Sequence, residues 1–374
     1  MTGKLKLMTI IGTRPEIIKL SEVMKRCDEV FDQVIVHTGQ NYDYELNQVF
    51  FEELGLREPD YYLSVVGSDL GETMGNVLAK SYRLMAEVRP DALLVLGDTN
   101  SCLCVISAKR LKIPIFHMEA GNRCFDENLP EEVNRRIVDT TSDVNLCYSE
   151  HARRNLLAMG CPTERVFVVG SPMREVIERH RGQIDSSRVL EELDLEPGRY
   201  LLLSAHREEN IDNERNFEEM VRAINALAEE YEMPILYSMH PRSRKFVEAR
   251  GVVFHPLVRA HKPFGFCDYV HLQQNAFCVV SDSGTLAEES AILGFPAVSL
   301  RTSTERPEVV DAGVFTLGGI TAEALIQAVG VEAALGRHLN SVRSYDAKGV
   351  SNEVAKIIQG YAGIVDRLVW RKTR

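Results

Sequence analysis

The sequence predicts an α/β protein made of two doubly wound, parallel-sheet domains, for three reasons. The chain has 374 residues, too many for one hydrophobic core, because single cores stop growing near about 250 to 300 residues. Eleven short apolar runs of strand length alternate with longer segments of helical period, as expected for parallel strands joined by helical crossovers on both faces. Six of the runs precede Ser171 and five begin at or after Tyr200, separated by a polar, helix-prone stretch, which places the domain boundary near 170 to 175.

In chain order the runs are LKLMTII, QVIVHT, ALLVLG, IPIFHM, VNLCY and RVFVVG, then YLLLSA, PILYSM, VVFH, FCVVSD and PAVSL. Their near-continuous apolar character suits strands buried on both faces. LKLMTII breaks at Gly12 and Pro15; it is too short for a membrane span and lacks a signal-peptide cleavage pattern, so a first strand and no membrane association are expected. SPMREVIERHRGQIDSSRVLEELDLEPGR links the two sets. The carboxyl end, NEVAKIIQGYAGIVDRLVWRKTR, has a helical pattern interrupted at Gly363 with no strand after it, and is expected to cross back. Residues 1–171 with a helix 361–374 then form one domain, and residues 172–360 the other.

Apolar residues at 45% and charged residues at 26% are ordinary for a globular chain and exclude disordered, collagenous and disulfide-scaffold classes. A net charge of −11 argues against a protein that binds nucleic acid by neutralising its backbone. The eight cysteines show no CxxC spacing, and Cys102, Cys104, Cys147 and Cys278 lie in apolar runs, which fits a reducing cytoplasm. No HExxH or clustered carboxylate spacing indicates a metal, and no GxSxG elbow, Walker A loop or GxGxxG fingerprint appears.

Open parallel sheets bind ligands outside the carboxyl ends of their strands. Arg14, Asp98, Glu119, His206, His240, Ser283 and Arg306 all follow strand runs. Singly, each is most simply a cap or a solvated loop charge; seven at the equivalent edge weaken that interpretation. In GTRPEIIK, Gly12 makes a tight turn, Pro15 suits a first helical turn, and Arg14 with Lys19 one turn on suits a diphosphate, the alternative being surface cations. In SDSGTLAEES, Ser283, Gly284 and Thr285 can turn N–H and hydroxyl groups toward a phosphate, and Glu289 can hold the two hydroxyls of a ribose or serve only as a first-turn acid. Tyr269 is either a cover for a base or a core aromatic. Asp98, Glu119 and Glu131, with Arg135 one turn beyond Glu131, collect carboxylates beside cations, as proton transfer at a weakly acidic carbon requires; an exposed Glu131–Arg135 pair is the plainer possibility. His37, His117, His151 and His255 read as packing or surface groups.

GTRPEIIK, GDT at 97–99, MEAGNR at 118–123, PEEVNRR at 130–136, HREEN at 206–210, SDSGTLAEES and TSTERPE at 302–308 together resemble, in order, the motif series of the non-hydrolysing UDP-N-acetylglucosamine 2-epimerase family. The resemblance implies a GT-B-like architecture: two Rossmann-like domains, a cleft between them, and a carboxy-terminal helix returning to the first. It implies a UDP-sugar substrate, no added cofactor, and a homodimer as the common state. The implied reaction is anti elimination of UDP to a 2-acetamidoglycal, followed by readdition of UDP and delivery of a proton to the other face of carbon 2. Asp98, Glu119 and Glu131 match the family's catalytic acids, and His206 matches the histidine beside the leaving diphosphate. Arg14, Lys19 and Arg135 match its substrate-binding cations. Ser283, Gly284 and Thr285 match the nucleotide loop, Glu289 the ribose contact, Arg306 the arginine of TERPE, Tyr269 the aromatic over uracil, and His240, in HPR, a further binding position.

MEAGNRCFDENLPEE departs from the MEAGLRT pattern of the N-acetylglucosamine enzymes, and HKPFGFCDY and GDTNSCL differ as well. These variants resemble the UDP-N-acetyl-L-fucosamine synthase branch, which implies epimerisation of UDP-2-acetamido-2,6-dideoxy-L-talose for capsule, O-antigen or lipopolysaccharide synthesis. A 6-deoxy sugar lacks one hydroxyl, so a changed wall opposite carbon 6 is physically sensible. The alternatives are interconversion of UDP-N-acetylglucosamine and UDP-N-acetylmannosamine, a GT-B glycosyltransferase, and a catalytically inert sugar-nucleotide-binding protein.

Overall fold

The chain folds around two parallel sheets, each built from its own part of the sequence. The computed structural model describes residues 3–39, 48–337 and 340–372. Among the described residues, the first sheet contains β1 (Lys6–Ile11), β2 (Asp32–His37), β3 (Tyr61–Tyr62), β4 (Ala92–Leu96), β5 (Ile115–Met118), β6 (Val144–Cys147) and β7 (Val166–Val168), in the order β3-β2-β1-β4-β5-β6-β7. The second contains β8 (Leu201–Ser204), β9 (Ile235–Ser238), β10 (Val258–His261), β11 (Cys278–Ser281), β12 (Ala297–Ser299) and β13 (Thr316–Leu317), in the order β10-β9-β8-β11-β12-β13. All pairings are parallel. Strand order reverses between β1 and β4 and again between β8 and β11, so each sheet has a switch point at which a ligand crevice opens.

The continuous apolar runs are buried along their whole length in β4, β8, β9 and β11. Helices supply the covering layers. In the first core, Met8, Ile10, Val95, Val105 and Val138 pack together; in the second, Leu203, Tyr237 and Val280 pack against Phe217, Ile224 and Leu227 of the helix Glu214–Tyr231. No helix among the described residues is long and apolar enough to cross a membrane.

Four details differ from the sequence pattern. VVFH is not a strand: Val253 is exposed, and His255 O accepts from Val258 N at 2.8 Å in a turn with Pro256 at its second position. The strand begins only after that turn, as β10. β3 and β13 are two-residue strands, too short to carry a period. The last helix runs unbroken from Val350 to Leu368, through Gly363, because Val354, Ile358, Ala362 and Val365 form a buried stripe whose packing outweighs the roughly 1 kcal/mol cost of a helical glycine. It lies against the helix Arg14–Val30; residues 373–374 lie outside the described residues.

The chain divides into residues 1–178 with 343–374 (unit 1) and residues 179–342 (unit 2). The first crossing falls later than 171 because Met173, Val176 and Ile177 are buried in unit 1 and Glu175 Oε2 accepts from Ser351 N at 3.0 Å. The return begins well before 361 because Ser344 O accepts from Ser171 N at 2.9 Å and Tyr345 O from Arg174 Nε at 3.3 Å.

Candidate active site

At the switch point of unit 1, β1 is followed by Gly12, which no other residue could replace without movement: a Cβ there would lie 2.0 Å from Ser101 Oγ and 2.2 Å from Thr38 Oγ1. Thr13 caps the helix Arg14–Val30, and Pro15 occupies its first turn. Glu16 closes the cap, its Oε2 accepting from Gly12 N at 2.8 Å and Thr13 N at 2.7 Å, and its Oε1 from Thr99 Oγ1 at 2.8 Å. Burial raises the Glu16 carboxyl above its ordinary value, and the hydrogen bonds from Thr99, Gly12 and Thr13 pull the other way. This side chain ties the loop after β1 to the loop after β4. The T-x-x-E spacing of a capping box was its sequence signal.

Two acids and two cations meet beside it. Lys19 Nζ donates to Glu119 Oε2 at 2.7 Å and lies 5.7 Å from the Tyr148 ring centre. Arg135 donates through Nη1 to Glu119 O and through Nη2 to Asp98 Oδ2, with Glu119 Oε1 at 3.4 Å. Arg135 is only 1% exposed and Lys19 3% exposed, so neither is the surface cation that the plainer interpretation allowed. Glu119 follows β5 with φ +59°, a left-handed conformation uncommon for glutamate. Asn134 Nδ2 donates to Asp98 O at 3.0 Å and so supports the loop after β4. Glu131 sits half-buried in the first turn of the helix Pro130–Thr141, one turn before Arg135. Arg14, at the start of its helix, lies 5.8 Å from the Phe50 ring centre.

In unit 2, His206 follows β8 and Ser283 follows β11, on the two sides of the second switch point. Buried Asp282 accepts from His206 N at 2.9 Å, Arg207 N at 2.9 Å and Asn210 Nδ2 at 3.1 Å, and its Oδ1 lies 3.3 Å from His206 Nδ1. A proton on Nδ1 therefore faces a carboxylate, the arrangement that stabilises an imidazolium. The His240 ring stacks on His206 at 5.6 Å, and His240 Nδ1 caps the helix Pro241–Ala249 by accepting from Arg242 N at 3.2 Å. Ser283 Oγ and Thr285 Oγ1 lie 3.1 Å apart, half-buried before the helix Leu286–Leu293, with Gly284 between them. Glu289 is buried on that helix and accepts from Gln273 Nε2 at 2.6 Å. Arg306 is buried with an Nη2 3.9 Å from Glu288 Oε2, and Tyr269 lies half-buried on the helix Phe266–Asn275.

The structure thus joins Lys19, Asp98, Glu119 and Arg135 in one cluster and pairs His206 with His240. It also places Ser283, Gly284, Thr285 and Glu289 on a single loop and helix. Glu16, Asp282 and the buried pair His117–Asp139 went unrecognised; for the last two no local pattern marks a residue whose partners are distant in sequence. No group of three or more His, Cys, Asp or Glu among the described residues is arranged to hold a metal ion.

Two Rossmann-like units with polar groups gathered at their switch points define a GT-B-like α/β enzyme, and known proteins resolve the class further. Residues 25–359 match the family model described as UDP-N-acetylglucosamine 2-epimerase. The UDP-N-acetylglucosamine 2-epimerase structure from Rickettsia bellii is 44% identical, with TM-score 0.91, covering 99% of this chain and 100% of that one. The Methanocaldococcus jannaschii UDP-GlcNAc 2-epimerase in complex with UDP-GlcNAc and UDP is 33% identical, also at TM-score 0.91, covering 95% of this chain and 100% of that one. A Pseudomonas aeruginosa UDP-2,3-diacetamido-2,3-dideoxy-D-glucuronate 2-epimerase is 33% identical across 86% of this chain and 91% of its own. The chain belongs to the UDP-N-acetylglucosamine 2-epimerase family and is an isomerase of the epimerase class.

Proposed function

We propose that this enzyme inverts carbon 2 of a UDP-2-acetamido sugar without hydrolysing it. A base takes the C2 proton as the C1–O bond breaks and UDP leaves anti to it. UDP then returns to C1 of the 2-acetamidoglycal while a proton enters C2 from the other face. The cluster of buried Lys19, Glu119 and Arg135 with half-buried Asp98 carries this proposal, since it holds two carboxylates in fixed charge environments at a switch point. Asp98, Glu119 and Glu131 form the acid–base set, with Arg14, Lys19 and Arg135 as binding cations. His206 faces the leaving diphosphate with His240 beside it, and Ser283, Gly284, Thr285, Glu289, Arg306 and Tyr269 hold the uridine diphosphate.

The test is turnover of the UDP-sugar in heavy water without any acceptor. Deuterium at carbon 2 is expected; its absence would remove the epimerase and favour a glycosyltransferase. For the sugar, the MEAGNRCFDENLPEE, HKPFGFCDY and GDTNSCL variants support UDP-2-acetamido-2,6-dideoxy-L-talose going to UDP-N-acetyl-L-fucosamine, a precursor for capsule or O-antigen synthesis. A higher kcat/KM on that substrate than on UDP-N-acetylglucosamine is expected, and the reverse order would keep the reaction but reassign the sugar. A homodimer is the oligomer expected in sedimentation.

A further inference from the structure

Beside the acid cluster lies a second buried charged group. His117 on β5 and Asp139 on the helix Pro130–Thr141 are both fully buried, with His117 Nδ1 2.9 Å from Asp139 Oδ1. The other ring nitrogen, Nε2, is 2.7 Å from Gly97 O. A carbonyl and a carboxylate only accept. Nε2 is therefore placed to donate to the Gly97 carbonyl, while the Nδ1 side of the ring lies against the Asp139 carboxylate. The Asp139 carboxylate also accepts from Gly121 N, at 3.2 Å to each oxygen, and from Arg123 Nη2 at 2.6 Å. Burial alone would raise its carboxyl; the hydrogen bond from His117 and the charges of His117, Arg123 and Arg135 outweigh it and hold the group below its ordinary value.

The backbone contacts of this pair fall beside residues of the proposed site. Gly97, with φ +81°, directly precedes Asp98. Glu119, at φ +59°, lies between His117 and Gly121, which has φ +84° and no room for a Cβ, since one would stand 2.3 Å from Ala152 O. Arg135 is one helical turn before Asp139. We infer that His117 and Asp139 act as a positioning clamp, a buried imidazole bonded to the Gly97 carbonyl and set against a carboxylate, that sets Asp98, Glu119 and Arg135 at their working distances. The role presumes the acid–base assignment proposed above. His117 touches no substrate on this account; without it the strained backbone at Glu119 relaxes and the acids drift, and a displacement of about 1 Å suffices for a roughly hundredfold loss of rate.

Two measurements test the clamp. In the unsubstituted enzyme, with and without UDP, the ring 15N signals of His117 should show Nε2 as the nitrogen that bears a proton and is hydrogen-bonded; an unprotonated Nε2 would overturn the clamp, and this result does not depend on any variant folding. His117→Gln, Asp139→Asn and the double variant should each lose about a hundredfold in kcat with calorimetric UDP affinity kept, the double losing no more than either single because the two act as one unit. A rate per folded molecule equal to that of the unsubstituted enzyme would also overturn it. Deuterium entering carbon 2 while His117 Nε2 proves unprotonated would leave the epimerase reaction standing and sink the clamp alone. No deuterium with a protonated, hydrogen-bonded Nε2 would do the opposite, removing the reaction and keeping the pairing.

Discussion

The two switch points share a topology and differ in their electrostatics. At β1 and β4 the polar groups are charges that answer one another, buried Lys19 with buried Glu119, and buried Arg135 with Glu119 and half-buried Asp98. At β8 and β11 they are half-buried hydroxyls, turned backbone and two stacked histidines, with a fully buried carboxylate, Asp282, against His206. The same Rossmann-like frame therefore supports two kinds of site. The first sets its charge before any ligand arrives, as stabilisation of a transition state requires. The second, on the function proposed above, would present its loop hydroxyls and backbone to a phosphate, as ground-state binding requires.

Substitutions should separate the two, and the largest effect is expected in unit 1. Glu119→Gln should lower turnover about 10²- to 10⁴-fold, the usual contribution of a positioned acid or base, with UDP affinity by calorimetry kept. Turnover near that of the unsubstituted enzyme would reduce the cluster to a structural ion pair. Lys19→Met should cost about 3 to 5 kcal/mol in urea unfolding, because it strands a buried carboxylate; a loss under about 1 kcal/mol, as at an exposed pair, would mean that Arg135 alone neutralises Glu119.

In unit 2, His206→Asn should lower the single-turnover rate roughly a hundred- to a thousandfold with little change in UDP affinity, since an imidazolium offsets charge that gathers on the leaving phosphate only in the transition state. Ser283→Ala should do the converse and mainly weaken UDP binding. If both variants lose affinity alone, unit 2 is purely a binding surface and the contrast sharpens.

The smallest expected effect is a pH dependence. The Asp139 carboxyl is held below its ordinary value of 3.8 in the folded protein. The stability it adds is therefore fully present above that value and is lost as pH falls through the lower folded one. The difference in unfolding free energy between the unsubstituted enzyme and Asp139→Asn should be flat at neutral pH and shrink in acid. A difference that grows in acid would reverse the assignment of charge.

Much of the architecture was readable in the chain because it follows from local pattern. ALLVLG, YLLLSA and FCVVSD are buried strands, since a short continuous apolar run between helices has little alternative. Local reading erred where a neighbour overrode the pattern. VVFH is apolar but runs into the turn at Pro256, and the buried stripe of the last helix carries it across Gly363. Where the chain crosses from one unit to the other was also beyond local pattern, because Glu175 and Arg174 are held by residues near 346 and 351.

The site divides in the same way. Residue types at strand ends, the glycine turns and the helix starts are written in short windows of sequence, so the motif residues could be named before any partner was known. Their pairing could not. Glu119 meets Lys19 across 100 positions and Arg135 across 16, and His117, which read as packing, reaches Gly97 across 20. A period of two or of 3.6 residues reports which face a side chain presents, not what waits on that face. The charge state of each acid depends on burial and on the nearest opposite charge, and those are set when sheet order brings the loops after β1, β4 and β5 side by side.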